Sequence, residues 1–133
     1  MRLNLYAVVL AAAFALPALA QDAPIRETIQ KQLDAFQNDD FVGAFGFASP
    51  TIKGIFGSPE NFGAMVQQGY PMVWRHQSVQ MLELREVAGN LWQRVMITDA
   101  AGKTYLLDYM MIETADGWQI NAVQLLPDQG VGA

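Results

Sequence analysis

The chain has 133 residues, no cysteine and a formal net charge of −5 at pH 7. Without cysteine it has no disulfide, no catalytic thiol and no thiolate metal site, so burial of apolar side chains must stabilise it. The acidic charge argues against a nucleic-acid partner, because nucleic-acid binding depends on basic patches.

The first 20 residues are predicted to be a cleavable signal peptide. Arg2 precedes an uncharged apolar run from Leu5 to Leu16, and Ala18-Leu19-Ala20 has small residues where signal peptidase requires them. The alternative is an uncleaved membrane anchor, but the run is shorter than the roughly 20 residues that span a bilayer. We therefore expect one domain, residues 21–133, in the periplasm or secreted, without stable membrane insertion after cleavage.

The mature chain begins with a long helical pattern. Asp22 is predicted to begin a helix that ends near Asn38, with Glu27 and Lys31 paired on its exposed side. Four apolar side chains share the opposite face: Ile25, Ile29, Leu33 and Phe36.

Two shorter helices are predicted to follow. Asp39 or Asp40 caps the second helix, and Ser49-Pro50 ends it. The third begins at Ser58-Pro59, because Ser suits the cap and Pro the first helical position, and Gly69-Tyr70-Pro71 interrupts it.

From residue 77 onward the pattern changes to β-prone runs separated by short turns. The predicted strands are Val79 to Val87, Leu91 to Thr98, Thr104 to Glu113 and Trp118 to Leu125. The predicted turns are Gly89-Asn90, Asp99 to Gly102 and Ala115 to Gly117. Consecutive strands joined by tight turns form a meander. We therefore predict an α+β fold in which N-terminal helices pack on a curved four-stranded antiparallel meander sheet.

The third predicted strand is apolar on both faces. Leu106, Met110 and Ile112 lie on one face, while Leu107 and Tyr109 lie on the other. A sheet that is apolar on both sides needs a cover on both. Helices are expected on one side, and a second subunit, forming a homodimer through the outer sheet face, on the other.

Asp108 is a carboxylate within this apolar strand. If Ala100-Ala101-Gly102 is a three-residue loop, Asp99 pairs with Lys103, and counting back along both strands pairs Arg94 with Asp108. We predict a cross-strand ion pair. The alternative is a pocket acid with a raised pKa.

Several segments resemble known proteins. They are Gln32 to Phe36 with Asp39-Asp40, Phe47 to Pro50, Phe62 to Val66, Gly69 to Pro71 and Asp116 to Ile120. The first is similar to the opening helix of the nuclear-transport-factor-like (SnoaL-like) superfamily, and the others resemble an exported bacterial family known only as a domain of unknown function. The resemblance implies a cone-shaped fold around a pocket. It leaves the chemistry open, because that superfamily includes isomerases, dehydratases, cyclases and ligand-binding proteins.

Aromatic and methionine side chains are the candidates for the wall of this pocket. They are Phe45, Phe47, Phe62, Met65, Tyr70, Trp74 and Tyr109. These residues either line a small apolar pocket between helices and sheet or fill it as core.

The candidate catalytic residues are His76, Asp108 and Tyr70. His76 is the single histidine of the chain, and without a placed partner it is weak evidence for acid–base chemistry. We expect no metal and no cofactor, since Met72 with His76 is too small a ligand set for copper. Arg75 is expected either to attract an anionic ligand or to pack over Trp74.

The sequence is compatible with two functions. The first is a non-catalytic exported domain that binds a small apolar ligand or a protein partner, in the pocket or on the sheet face. The alternative is a small-molecule isomerase or dehydratase that uses His76 or Asp108 as acid or base, which requires these groups to converge on one cavity.

Overall fold

The computed structural model describes residues 22–127, so the predicted signal peptide lies outside the described residues. Residues 22–37 form helix α1. The other helices are α2 (Phe41–Gly46), α3 (Pro50–Phe56), α4 (Pro59–Gly69) and α5 (Pro71–Trp74). The strands are β1 (His76–Val87), β2 (Asn90–Asp99), β3 (Thr104–Thr114) and β4 (Gly117–Leu125), in one antiparallel sheet of order β1-β2-β3-β4. The predicted α+β fold with a four-stranded meander is confirmed.

Helix α1 buries the face that its sequence period predicts. Ile25, Ile29 and Leu33 are fully buried and Phe36 is 1% exposed. On the solvent side, the Lys31 ammonium lies 3.4 Å from the Glu27 carboxylate. Apolar residues three and four positions apart therefore place α1 against the inner face of the sheet.

The sequence analysis does not predict helix α3. Ser49-Pro50 was expected to end α2, whereas Ser49 caps a new helix by accepting a hydrogen bond from the Ile52 amide, with Pro50 at the first helical position. Ser58-Pro59 begins α4 in the same way, as predicted. Proline cannot continue a preceding helix, because it lacks the N–H group that a helix interior needs. At the first position of a helix this N–H group would be unpaired, so a Ser-Pro pair can also begin the next helix.

The connection between α2 and α3 is tied to the sheet. The Ser49 amide donates to the Ile120 carbonyl at 2.8 Å, and the Ile120 amide donates to the Phe47 carbonyl at 2.9 Å. An additional residue in β4, Asn121, lies between the partners of Met110 and Met111. This bulge turns the Asn121 side chain toward Ser49, whose hydroxyl donates to Asn121 Oδ1 at 2.7 Å.

The hairpin turns decide the register of the sheet. Gly102 has φ of +87°, the Asp99 amide donates to the Lys103 carbonyl, and Arg94 pairs with Asp108 as predicted. The first turn differs from the expected Gly89-Asn90. It consists of Ala88 and Gly89, both with positive φ, between the paired residues Val87 and Asn90. Positive φ at both central positions is the hairpin geometry that follows the twist of the strands.

A bulge in β1 changes which face its second half presents. Leu82 and Glu83 both stand opposite Arg94, and beyond them Arg85 pairs with Trp92. Without the additional residue Arg85 would pair with Leu91, whose side chain packs against the core. Because a one-residue shift reverses the faces of a strand, the bulge places Arg85 on the outer face.

None of the helices within residues 22–127 is long and apolar enough to cross a membrane.

Candidate functional site

A cavity of about 290 Å³, partly open to solvent, lies between the helices and the inner face of β3 and β4. Its wall comes from every helix except α2, from the connection that precedes α3 and from both strands. The lining residues are Gln32, Phe36, Ala48, Ile52, Phe56, Phe62, Met65, Val66, Tyr70, Val73, Tyr109, Ile120, Asn121, Ala122 and Val123. The volume is at the lower end of the range for small-molecule sites, which are mostly apolar with a few polar groups.

The polar groups of the cavity wall are all uncharged. Gln32 Nε2 donates to the Ala44 carbonyl at 3.1 Å. Tyr70 donates to the Val123 carbonyl at 3.4 Å, and Asn121 accepts from Ser49. No Asp, Glu, Lys, Arg or His is among the lining residues. Gln32, Tyr70 and Asn121 therefore each make a hydrogen bond within the protein.

Tyr109 differs from the other polar residues of the wall. Its side chain is 1% exposed, and its hydroxyl has no hydrogen-bond partner within residues 22–127. Burial raises the pKa of the Tyr109 phenol well above its ordinary 10.0, and the nearby Tyr70 acts in the same direction. The hydroxyl therefore remains a protonated donor at physiological pH.

Four of the seven residues expected in the pocket wall line the cavity: Phe62, Met65, Tyr70 and Tyr109. The other three do not. Phe45 packs behind Phe62 at a ring separation of 5.4 Å, Phe47 lines a separate surface groove, and Trp74 lies at the surface. Phe45 belongs to α2, which contacts α4, so its ring supports the wall without reaching the cavity.

Several residues line the cavity although the sequence analysis did not predict them there. Some of them lie in sequence patterns that mark a buried helix face or a helix start. Phe36 lies on the periodic apolar face of α1, and Val66 continues the pattern of α4. Ile52 and Phe56 belong to α3, which the Ser-Pro signature would have revealed. Asn121 reaches the site because of the β4 bulge, which leaves no recognisable mark in the sequence.

Asp108 lies on the outer face of the sheet, away from the cavity, and is 2% exposed. Arg94 Nε and Nη2 donate to its two oxygens at 3.0 and 2.9 Å. Arg85 Nη1 and Nη2 donate to the same oxygens at 3.2 and 2.7 Å. The predicted Arg94–Asp108 pair is therefore present, and Arg85 makes it a triad that the sequence did not reveal.

The triad determines the ionisation of Asp108. Burial alone would raise its pKa, but hydrogen bonds from Arg94 and then Arg85 outweigh burial and lower the pKa from 3.8 to about 2. The side chain of Glu83 is 56% exposed, and its carboxylate lies 3.8 Å from Arg94 Nη1. The alternative of a pocket acid with a raised pKa does not describe Asp108.

Residues 18–133 match the model of a family described as Domain of unknown function (DUF4864). The chain belongs to DUF4864. No curated protein and no solved structure matches it. Placement of this DUF4864 domain in the nuclear-transport-factor-like superfamily stays a prediction.

His76 of the DUF4864 domain lies at the first position of β1 and outside the cavity wall. Its Nδ1 is 3.3 Å from the Val73 carbonyl oxygen. Met72 is buried in the core, and residues 22–127 contain no group of three His, Asp or Glu side chains that could hold a metal ion. The candidate catalytic residues His76, Asp108 and Tyr70 do not converge on one site in the described structure.

Arg75 of the DUF4864 domain pairs with Asp39. Its Nη2 lies 2.9 and 3.0 Å from the two carboxylate oxygens, and its guanidinium carbon lies 4.2 Å from the centre of the Trp74 ring. Trp74 Nε1 also donates to Asp39 at 2.9 Å. Hydrogen bonds from Trp74 and then Arg75 lower the pKa of Asp39. Asp40, and not Asp39, caps α2.

The outer sheet face of the DUF4864 domain combines the triad with apolar side chains. Leu106, Met110 and Ile112 lie there and are partly buried, with Met96 and Trp92 paired beside them on β2. The expected apolar character of this face is thus present. Association of two copies through it stays a prediction.

Proposed function

We propose that the mature domain is a non-catalytic binding protein whose cavity holds a small apolar ligand. The observation that carries this proposal is the cavity of about 290 Å³ with a wholly uncharged and mainly apolar wall. Small-molecule sites are concave and mostly apolar with a few polar groups, so a partly enclosed space with this lining supports a binding role.

The competing proposal is a pocket isomerase or dehydratase. Such an enzyme needs an acid and a base that contact the substrate. The polar side chains of the cavity wall are Tyr70, Tyr109, Gln32 and Asn121, and neither His76 nor Asp108 is among its lining residues. The geometry therefore favours binding over acid–base catalysis.

We expect the purified protein to bind n-butylbenzene in the cavity. Transfer of an apolar molecule from water into an apolar space is favourable, and ligand bound to the native state raises its stability. Isothermal titration calorimetry measures the binding, and an increase of the thermal midpoint with ligand concentration provides a second readout.

A pair of valine variants controls this experiment. Val66 is buried in the cavity wall, whereas Val42 is 69% exposed on α2. Val66→Phe fills part of the cavity and should weaken binding at least about tenfold, while Val42→Phe should leave binding unchanged. The proposed function is contradicted if the native protein does not bind n-butylbenzene. It is also contradicted if Val66→Phe binds as tightly as the native protein.

We also propose that the domain acts outside the cytoplasm, which the sequence of residues 1–20 supports. Cleavage after Ala20 leaves Gln21 at the N-terminus and, by removing Arg2, changes the formal charge from −5 to −6. Intact-mass measurement of protein recovered from the periplasm or medium should give a chain that begins at Gln21. Recovery of the uncleaved chain in the membrane fraction would contradict export.

A further inference from the structure

We propose that the outer face of the sheet is a docking surface for a second copy of this chain, so that two domains form a symmetric dimer with their sheets packed face to face. The cavity lies on the opposite, inner face, so this inference is independent of ligand binding. The apolar side chains of the outer face, which lie outside the core of the described chain, point to it.

The outer face carries apolar side chains on all four strands. According to the strand register, these side chains are Val87, Trp92, Met96, Leu106, Met110, Ile112 and Ala122. None of them belongs to the core or packs against it, whereas every helix of residues 22–127 contributes side chains to that core. Val87 is 48% exposed, and the others are partly exposed. Within residues 22–127 the helices therefore form a layer on the inner face and leave the outer face without one.

The breadth of the outer face indicates the shape of its partner. Four strands about 4.8 Å apart span about 19 Å, whereas one α-helix is about 10 Å wide. A single helix thus covers only two strands, but a second four-stranded sheet covers all of them. Packed sheets keep their strand directions within about 30° of each other. A copy of this chain supplies such a sheet, and two-fold symmetry brings the same residues together from both sides.

The area of the outer face agrees with the size of a stable interface. Strands of 9 to 12 residues rise about 3.3 Å for each residue, so the face is about 30 Å long. With a width of about 19 Å, its projected area is about 600 Å². A standard interface buries about 800 Å² of accessible surface per partner, and an uneven layer of side chains has more accessible surface than its projection. Contact over the whole face therefore suffices for a dimer, whereas contact over half of it falls short.

The charges of the outer face balance each other. Arg85 and Arg94 both pair with Asp108, and the Glu83 carboxylate lies 3.8 Å from Arg94. Two positive and two negative groups thus lie together, in a chain whose formal net charge is −5. Two copies can therefore meet at this face without net repulsion from its charges, and a strongly charged partner gains little from it.

Sedimentation velocity of the mature protein over a range of concentrations tests this inference. We expect the native protein to form a dimer, and Met110→Glu to weaken association at least about tenfold, because each copy then brings a carboxylate into the apolar interface. The side chain at position 110 is partly exposed in the monomer, so we expect the variant to fold, and circular dichroism checks this. Ile55→Glu is the matched control. Ile55 is 67% exposed on α3, so the change should leave association unaltered.

Spin labels give a second measurement that does not depend on Met110→Glu. The chain has no cysteine, so a single introduced cysteine carries a single label. Gln80 is exposed on the outer face, where it pairs with Met96, and Asp34 is exposed on α1, on the other side of the sheet. Pulsed electron paramagnetic resonance should give a shorter distance between the two copies for labelled Gln80→Cys than for labelled Asp34→Cys.

The outcomes decide whether a second copy occupies the outer face. Loss of the dimer in folded Met110→Glu, its retention in Ile55→Glu and the shorter distance at position 80 support the inference. A native protein that is still monomeric at about 1 mM overturns it. A dimer that Met110→Glu leaves unchanged, or in which the labels at position 34 are the closer pair, also overturns it, because the copies then meet at another surface. Native mass spectrometry that finds a different protein in place of the second copy has the same consequence.

Discussion

Replacing Asp108 with Ala is expected to lower the free energy of unfolding by about 3 kcal/mol. The carboxylate is 2% exposed and accepts four hydrogen bonds from two guanidinium groups. Removal of one member of a buried ion pair leaves an uncompensated charge and typically costs 3 to about 5 kcal/mol. Arg85 and Arg94 keep side-chain exposures of 34% and 26%, so water recovers part of the loss and the lower end of that range applies.

Urea denaturation of Asp108→Ala, two further variants of the triad and one control measures this effect. The triple variant Arg85→Met, Arg94→Met and Asp108→Leu should recover most of the stability, because apolar residues of similar volume replace all three charges. The pair Arg94→Met and Asp108→Leu still leaves Arg85 unpaired and should recover less. Asp34→Ala, at an exposed helix position, is the control and should change stability by less than about 0.5 kcal/mol. Additive losses would show that the three side chains do not interact.

The same triad predicts how stability depends on pH. The pKa of Asp108 in the folded protein, about 2, is below its ordinary value of 3.8. The contribution of the Asp108 carboxylate to the free energy of unfolding is therefore present above about pH 4 and is lost as the pH falls through about 2. The shift corresponds to about 2 kcal/mol, and the triple variant should lose this part of the acid sensitivity.

Replacing Phe62 with Ala is expected to cost about 3 to 5 kcal/mol of stability. Phe62 is 6% exposed and lies in the middle of an aromatic cluster. Its ring centre is 5.8 Å from those of Phe36 and Phe56 and 5.4 Å from that of Phe45. Loss of the ring removes these contacts and enlarges a cavity that already exists, so the structure has little opportunity to collapse around the deletion.

The control for this variant is Ile55→Ala. Ile55 is 67% exposed on α3, and its truncation should change stability by less than about 0.5 kcal/mol. Thermal and denaturant unfolding give both values. We also expect n-butylbenzene to stabilise Phe62→Ala more than the native protein, because the ligand fills part of the new space. A loss for Phe62→Ala no greater than that for Ile55→Ala would contradict the proposed packing of the wall.

Arg94 and Arg85 both bind Asp108, but only the position of Arg94 follows from local signals in the sequence. The sequence predicts Arg94 opposite Asp108, and the structure confirms it, because a three-residue loop ending in left-handed Gly102 fixes the register of the strand pairs that follow. Arg85 could not be placed in the same way. Its face depends on the bulge at Leu82 and Glu83, and a bulge arises from competition between pairing and packing that local residue types do not encode.

The same distinction applies to the helices and the cavity: local sequence signals predict the helices, and tertiary packing forms the cavity. The buried face of α1, the cap of α4 and the order of the strands follow from periodicity, capping residues and turn glycines, which are local signals in the sequence. The tertiary structure decided that Phe62 and Tyr109 border a cavity while Phe45 and Trp74 do not. Whether side chains from separate elements fill a space or enclose it depends on how closely those elements approach, and that distance results from the packing of the whole domain.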